Sequence, residues 1–348
     1  MALEVDIEKK LGDFRLRAAF TCDKGITGIL GASGSGKSMT LKCIAGIERP
    51  DRGRIVLDGR VLFDSEKKTD LPPQQRRVGY LFQHYALFPG MTVRQNILCG
   101  LHAEKDRQKR EKRADEILEM LQIRDIASQK PETLSGGQAQ RTALGRILAN
   151  EPDLLMLDEP FSALDTHLRL KLQTELKSLL SGYDRGILIV THDRDEAYRM
   201  CGKLAVMEQG QMQTVKGTKV LFADPETRAA AVLTGCKNIA GAEKTGGQEV
   251  FVPAWNIHLS TAKPVREGLK AVGIRAHDFR PEEQQNRFPV AILRETEEPF
   301  EWISEFRYEM QKPGSPAVWW RYSREFRREE PPAALGVSPD KVLLLYGE

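Results

Sequence analysis

The sequence predicts an α/β domain built around a phosphate-binding loop, followed by a small β-rich domain, and three observations predict it. Gly31-Ala32-Ser33-Gly34-Ser35-Gly36-Lys37-Ser38 fits the pattern G-x-x-x-x-G-K-[ST]. That loop lies between the apolar run Gly28-Ile29-Leu30 and the helix-like stretch Met39-Thr40-Leu41-Lys42-Cys43-Ile44-Ala45. Strand, loop and helix in that order are the context such a motif needs. Beyond residue 234 the texture changes to short apolar runs separated by polar, proline-bearing turns.

The 348 residues are too many for one ordinary core and fit two domains of unequal size. A hydrophobic fraction of 41% is that of a soluble globular chain. No apolar stretch approaches the roughly 18 residues of a membrane span, and the N-terminus lacks a signal-peptide succession, so a cytoplasmic protein is expected. Lys and Arg number 52 against 49 acidic residues, a formal charge of +3 that gives no reason to expect a nucleic-acid partner. Cys22, Cys43, Cys99, Cys201 and Cys236 are odd in number and scattered, which argues against a zinc site and a disulfide framework.

Phe14, Leu16, Ala18 and Phe20 alternate with Asp13, Arg15, Arg17 and Ala19, predicting an early strand with one buried face. The region 107–123 is charged and then amphipathic, with Ala114, Ile117, Leu118 and Leu121 on one helical face and a basic run, 105–113, that reads as solvated surface. Leu168, Leu172, Leu176 and Leu179 mark another helix. Ile187-Leu188-Ile189-Val190 is short, continuous and rich in β-branching, as a buried parallel strand is. A last helix is expected over 225–233, closing a first domain at 1–233. Strands are expected in 250–252, 269–274, 288–293, 318–322 and 342–346 of the second domain, 234–348.

The chemistry concentrates in the first domain. In the loop, the small residues Gly31, Ala32, Ser33, Gly34, Ser35 and Gly36 let backbone N–H groups close on phosphate oxygens at a helix N-terminus. Lys37 adds a charge for the β/γ-phosphates, and the Ser38 hydroxyl is placed to ligate a magnesium ion. Asp158 ends the apolar strand Leu154-Leu155-Met156-Leu157, at a sheet edge where a carboxylate can hold magnesium. Glu159 follows, and by strand alternation its side chain points to the opposite face. Leu134-Ser135-Gly136-Gly137-Gln138 precedes a helix over 138–149, whose N-terminus suits a second phosphate.

These signals in this order resemble the nucleotide-binding subunit of an ATP-binding cassette transporter over residues 1 to about 233. The resemblance implies a helical subdomain at about 84–150 and a substrate, ATP, bound with Mg2+ by residues 31–38 and Met39. It implies that Glu159 polarises the attacking water, that His192 contacts the γ-phosphate, and that Gln83 touches magnesium beside Ser38 and Asp158. Ser135, Gly136, Gly137 and Gln138 would meet the nucleotide of a second subunit, with Ser162-Ala163-Leu164-Asp165 crossing the contact, so that a head-to-tail homodimer completes two sites. Many relatives stack an aromatic on adenine near Leu11 and Phe14; here Phe14 fits the core alternation and a ring platform remains the alternative.

The tail that follows Phe222-Ala223-Asp224-Pro225-Glu226-Thr227-Arg228 resembles the small oligonucleotide-fold regulatory (TOBE-like) domain of importer ATPases, as does Val272-Gly273-Ile274-Arg275. The whole is most similar to ATPases that drive uptake of molybdate or sulfate. Partners implied are a transmembrane permease and, indirectly, an extracytoplasmic solute-binding protein, with the chain at the cytoplasmic face of the membrane. The permease is expected to dock over 83–97, where Tyr85, Leu87 and Phe88 are the apolar residues, a core role for them being the alternative. Gly235-Cys236-Lys237-Asn238-Ile239-Ala240-Gly241 reads either as a first strand and turn or as part of an oxyanion site, and Trp302, Trp319 and Trp320 as core or tail-to-tail contact rather than a ligand cage. Import of iron, a polyamine or a sugar is the alternative, and a soluble ABC ATPase acting on DNA or ribosomes a more distant one, since the chain has one cassette with Ser38 and Leu134 close together.

Overall fold

The computed structural model describes residues 3–162, 166–327 and 330–347, and for 166–168 the backbone alone. Ala163, Leu164, Asp165 and the Leu168 side chain lie outside the described residues. The chain divides into two compact units, Met1–Thr218 and Lys219–Glu348.

The first unit is organised by one sheet of eleven strands. Its first part is a hairpin of β1 (Leu3–Leu11) and β2 (Phe14–Cys22), in antiparallel register with Leu11 opposite Phe14. Leu3, Val5, Ile7, Leu16, Ala18, Phe20 and Cys22 are buried on one face, the alternation that Phe14 to Phe20 foreshadows. β3 (Gly25–Leu30) leads into α1 (Lys37–Ala45). β4 (Arg52–Leu57), β5 (Arg60–Asp64) and β6 (Thr69–Asp70) extend the sheet edge beyond β1. After the short α2 (Pro73–Arg76) comes β7 (Val78–Leu81).

β8 (Leu154–Asp158), β9 (Gly186–Thr191), β10 (Lys203–Glu208) and β11 (Gln211–Gly217) complete the order β6-β5-β4-β1-β2-β11-β10-β3-β9-β8-β7. From β10 to β7 the neighbours are parallel. Every residue of β8 and β9 is buried, which explains why both read as unbroken apolar runs rather than as alternations. Because β9 lies between β3 and β8, the C-terminal ends of all three open on one edge. In open parallel sheets that edge is where ligands bind.

α3 (Val93–Gly100), α4 (Arg107–Met120) and α5 (Gly136–Ala149) pack on one another. Ala114, Ile117, Leu118 and Leu121 are buried, and α4 starts under an Asp106 cap, so the basic run is its solvated side. α3 and α5 approach so closely that a Cβ on Gly100 would stand 2.1 Å from the Arg146 carbonyl oxygen. α5 begins at Gly136, two residues before the expected start, because Ser135 and Gln138 close a capping box on it. In α6 (Thr166–Leu180), Leu172, Leu176 and Leu180 are buried, whereas Leu179 is only half-buried. α7 (Arg194–Met200) follows β9.

The second unit carries α8 from Lys219 onward (α8 spans Thr218–Ala223) and α9 (Arg228–Leu233). The division thus falls ahead of the expected position near 234, and the helix expected over 225–233 lies on the far side of it. Arg275 explains the grouping: its guanidinium donates to the carbonyls of Thr234 at 2.5 Å and Phe222 at 2.6 Å, tying both helix ends to the residue that follows the strand Ala271–Ile274. Tyr346 N–H also reaches the Glu226 carbonyl at 2.8 Å.

The remaining strands are β12 (Asn238–Gly241), β13 (Glu243–Lys244), β14 (Glu249–Val252), β15 (Ile257–Ser260), β16 (Ala271–Ile274), β17 (Phe288–Glu297), β18 (Glu301–Tyr308), β19 (Val318–Ser323), β20 (Ala334–Leu335) and β21 (Leu343–Leu345). They form sheets β12-β16-β21, β13-β14-β15 and β19-β18-β17-β20 around a core that includes Trp255, Phe279, Phe306 and Trp320. Trp302 is buried beneath the Arg327 guanidinium, 3.8 Å from its ring centroid, while Trp319 is 39% exposed. Asn238 exchanges hydrogen bonds with Trp319 and donates to the Ile274 carbonyl, so within the segment 235–241 its amide anchors β12.

Candidate functional site

The phosphate loop leaves β3 and returns into α1 through backbone that only glycine tolerates. Gly36 has φ 107°, and a Cβ there would press on Leu16 at 2.9 Å and Phe14 at 3.2 Å; one on Gly31 would lie 2.4 Å from the Met207 carbonyl oxygen. The loop is therefore wedged against β2 and β10. Ala32, Ser33 and Gly34 are exposed at its crest, whereas Met39 packs its side chain on the core. The Lys37 ammonium is 4% exposed and donates to the carbonyls of Gly31 at 2.9 Å and Ala32 at 2.8 Å. Burial pulls its pKa below the ordinary lysine value, while Glu159 and Asp158 act in the opposite direction.

Asp158 terminates β8 with both carboxylate oxygens engaged. Oδ1 accepts from Ser38 Oγ at 2.7 Å and Oδ2 from the Tyr80 hydroxyl at 2.6 Å. Glu159 departs from the expected alternation. Its φ of 44° puts it in the left-handed region, its N–H is held by the Val190 carbonyl at 3.0 Å, and its side chain turns into the same cluster as Asp158 rather than to the opposite face. Glu159 Oε1 lies 3.8 Å from Lys37 Nζ, and Oε2 lies 3.1 Å from His192 Nδ1. Gln83 joins through the turn after Glu159, donating from Nε2 to Ser162 Oγ at 3.1 Å, and Ser162 Oγ donates to the Glu159 carbonyl at 3.0 Å.

Lys37, Ser38, Asp158, Glu159 and His192 are thus brought together from α1, β8 and the end of β9. Ser135 and Gln138 are bonded to each other instead, Gln138 Oε1 accepting from Ser135 N at 2.9 Å, with Ser135 and Gly136 exposed and Gly137 buried against Leu172. α5 is fastened to the turn after Glu159 by Gln140 Nε2, which donates to the Pro160 carbonyl at 3.1 Å. Phe14 is half-buried and packs against the core, and Leu11 is 38% exposed. Tyr80 was not singled out by the sequence, because its phenol reads as strand core until the partner strand is known.

The donor set fits magnesium. Ser38 and Asp158, bonded at 2.7 Å, offer a hydroxyl and a carboxylate, hard oxygen ligands of the kind that ion takes, while the exposed Gln83 gives its amide to Ser162. Among the described residues no three His, Cys, Asp or Glu group into a metal site of their own.

A family model described as ABC transporter matches residues 17–162. The spermidine/putrescine import ATP-binding protein PotA of Bacillus cereus is 39% identical over 239 residues, 68% of this chain and 70% of that protein. The chain belongs to the ABC transporter family. A molybdenum import ATP-binding protein, ModC, of Paramagnetospirillum magneticum is 38% identical over 65% of this chain, and the match spans 62% of that relative's length. Among solved structures, the dimeric ATP-binding cassette MJ0796 bound to ADP and Pi is similar with TM-score 0.53 and 28% identity, covering 63% of this chain and 99% of that one. The cassette cbiO1 of Clostridium perfringens, part of the transporter complex cbiONQ, gives TM-score 0.57 and 27% identity over 65% of this chain and 91% of its own. Among the described residues no helix is long and apolar enough to cross a membrane.

Proposed function

We propose that this chain is the ATP-hydrolysing subunit of an ABC importer, working as a homodimer on a transmembrane permease at the cytoplasmic face of the membrane, with an oxyanion such as molybdate or sulfate as solute. The observation that carries the ATPase reading is the cluster in which Glu159 stands between Lys37 and His192 while Asp158 holds Ser38. Ser38, Asp158 and Gln83 would hold magnesium, which would supply positive charge to offset that of the phosphates. Lys37 meets the terminal phosphates, and Glu159 orients and polarises the attacking water from a position fixed by His192. Ser135 to Gln138 present a helix N-terminus to the nucleotide of the second subunit. The MJ0796 cassette, whose structure is dimeric, supports that arrangement.

Two relatives of near-equal identity bear on the solute. The molybdenum import protein favours an oxyanion, delivered through a solute-binding protein and permease, while the polyamine import protein supports the alternative of a spermidine-type solute. The permease would dock over Gln83 to Ile97, a reading supported by Phe88, 47% exposed beneath the Arg146 guanidinium, and by the half-buried Leu87. Phosphate release by the purified chain, lost in Lys37→Ala, tests the ATPase reading. Equal release by both proteins would overturn it. Uptake of labelled molybdate, sulfate and spermidine by cells lacking the chain decides the solute, and restoration of spermidine uptake alone would replace the oxyanion. Mixing Ser135→Arg with Lys37→Ala should restore part of the turnover that each lacks, since one composite site is then whole; no gain on mixing would argue against shared sites.

A further inference from the structure

Glu196, in the first turns of α7, is 4% exposed, and only one of its carboxyl oxygens is engaged. Oε2 accepts from the Thr191 hydroxyl at 3.0 Å; Oε1 is buried without a hydrogen-bond partner. The Thr191 Oγ1, having given its single proton to Glu196, accepts from the Asp193 N–H at 3.0 Å. These two bonds straddle His192. The turn is fixed at both ends: the Thr191 carbonyl accepts from Gly31 N at 3.3 Å at the start of the phosphate loop, and Asp193 caps α7 while its Oδ2 accepts from Arg169 of α6 at 3.2 Å.

We infer that Glu196 is a positioning residue for His192, acting through the Thr191 hydroxyl to set the turn that holds the imidazole against Glu159. The inference rests on the ATPase reading of His192 and Glu159. A hydroxyl can point its proton in several directions, and one that swings toward the Asp193 N–H sets two hydrogens against each other and opens the turn. Accepting that proton at a fixed place removes the freedom. Burying a carboxyl with one orphan oxygen costs stability, and an apolar side chain would fill the place without that cost, so the carboxyl is explained by the hydroxyl it orients.

The test uses the full chain, with steady-state ATP hydrolysis and equilibrium nucleotide binding measured on the same preparations. Thr191→Val, which keeps the shape, and Glu196→Leu should each lower kcat by about tenfold, while nucleotide Kd and KM stay within about twofold. Thr191→Ser and Glu196→Gln, which keep the hydroxyl and the acceptor oxygen, should stay within about threefold of the parent kcat. The double variant Thr191→Val with Glu196→Leu should be no slower than either single one. Parent-like kcat in Thr191→Val, an equal fall in nucleotide affinity, or conservative variants as slow as the others would overturn the inference. Circular dichroism excludes unfolding, and should Glu196→Leu fail to fold, the Thr191 pair decides alone. His192→Ala separates the two layers. If it retains the parent kcat, or the parent hydrolyses no ATP, the underlying reading fails, whereas loss of turnover in His192→Ala beside an unaffected Thr191→Val refutes only the role of Glu196.

Discussion

The Tyr80 hydroxyl lies 2.6 Å from Asp158 Oδ2, on the oxygen that Ser38 does not use. The two side chains come from adjacent parallel strands, with Tyr80 opposite Met156, so the phenol reaches along the strand to the sheet edge. Burial and the neighbouring carboxylate push the phenol well above its ordinary pKa, and it acts as a donor. Partners behind a metal ligand fix its orientation, and their loss typically weakens metal affinity by about tenfold or more. Tyr80→Phe should therefore raise the magnesium concentration needed for tight nucleotide binding by about tenfold, with little change in binding measured in excess chelator. Equal effects with and without magnesium would show that the ring, not the hydroxyl, matters.

Glu159→Gln keeps the shape of the side chain and its contact with His192 but removes a basic oxygen. Turnover should fall by about two to three orders of magnitude with ATP affinity retained. The ATP-bound variant should elute as a dimer in gel filtration with magnesium, and strictly monomeric elution would count against two shared sites. Lys37→Ala acts earlier, because its ammonium meets the phosphates themselves, and labelled ATP should bind it markedly more weakly.

Much of this arrangement was readable from residue order, and the exceptions have physical causes. β8 and β9 stand out because strands buried on both faces must be apolar throughout, and α4 because its buried residues recur with the helical period. β18 escaped notice although Trp302, Ser304, Phe306 and Tyr308 form its buried face, because the intervening charges and a buried serine break the apolar signature. The turn of Glu159 depends on a left-handed backbone held by Val190 of another strand, which no local pattern encodes. Thr191 with Glu196 and Tyr80 with Asp158 are likewise hydrogen-bonded pairs whose chemistry appears only when the elements are placed.

Arg76 is fully buried and ties Asp70 and Leu71 to the C-terminal end of α1, the helix that begins at the phosphate loop. Nη1 donates to the carbonyls of Cys43 at 2.8 Å and Ile44 at 2.9 Å, Nε to Leu71 at 2.7 Å, and Nη2 to Asp70 at 2.9 Å. Arg76→Met fills similar space but takes the guanidinium donor from those carbonyls, of which Cys43 keeps the Gly46 N–H. Stability should fall by about 3 kcal/mol, lowering the melting midpoint by roughly 5–10 °C. A midpoint within a degree or so of the parent would mean that water replaces the guanidinium at no cost.

Burial pushes the Glu196 carboxyl up to about 7, with Asp193 and Glu159 acting in the same direction and Thr191 and Arg169 against it. An acid whose folded pKa is raised binds its proton more tightly in the folded chain than in the unfolded one, so stability falls as pH rises between the two values. The window runs from about pH 4.3, the ordinary glutamate value, to about 7, and the full cost is present above it. Its ceiling is roughly 4 kcal/mol. Glu196→Gln cannot ionise, so its stability relative to the parent should increase from pH 5 to pH 8, read as a growing gap between the two denaturation midpoints. A gap that stays constant across that range would show that the carboxyl is charged in the folded chain at both ends of it, and that burial does not hold its proton.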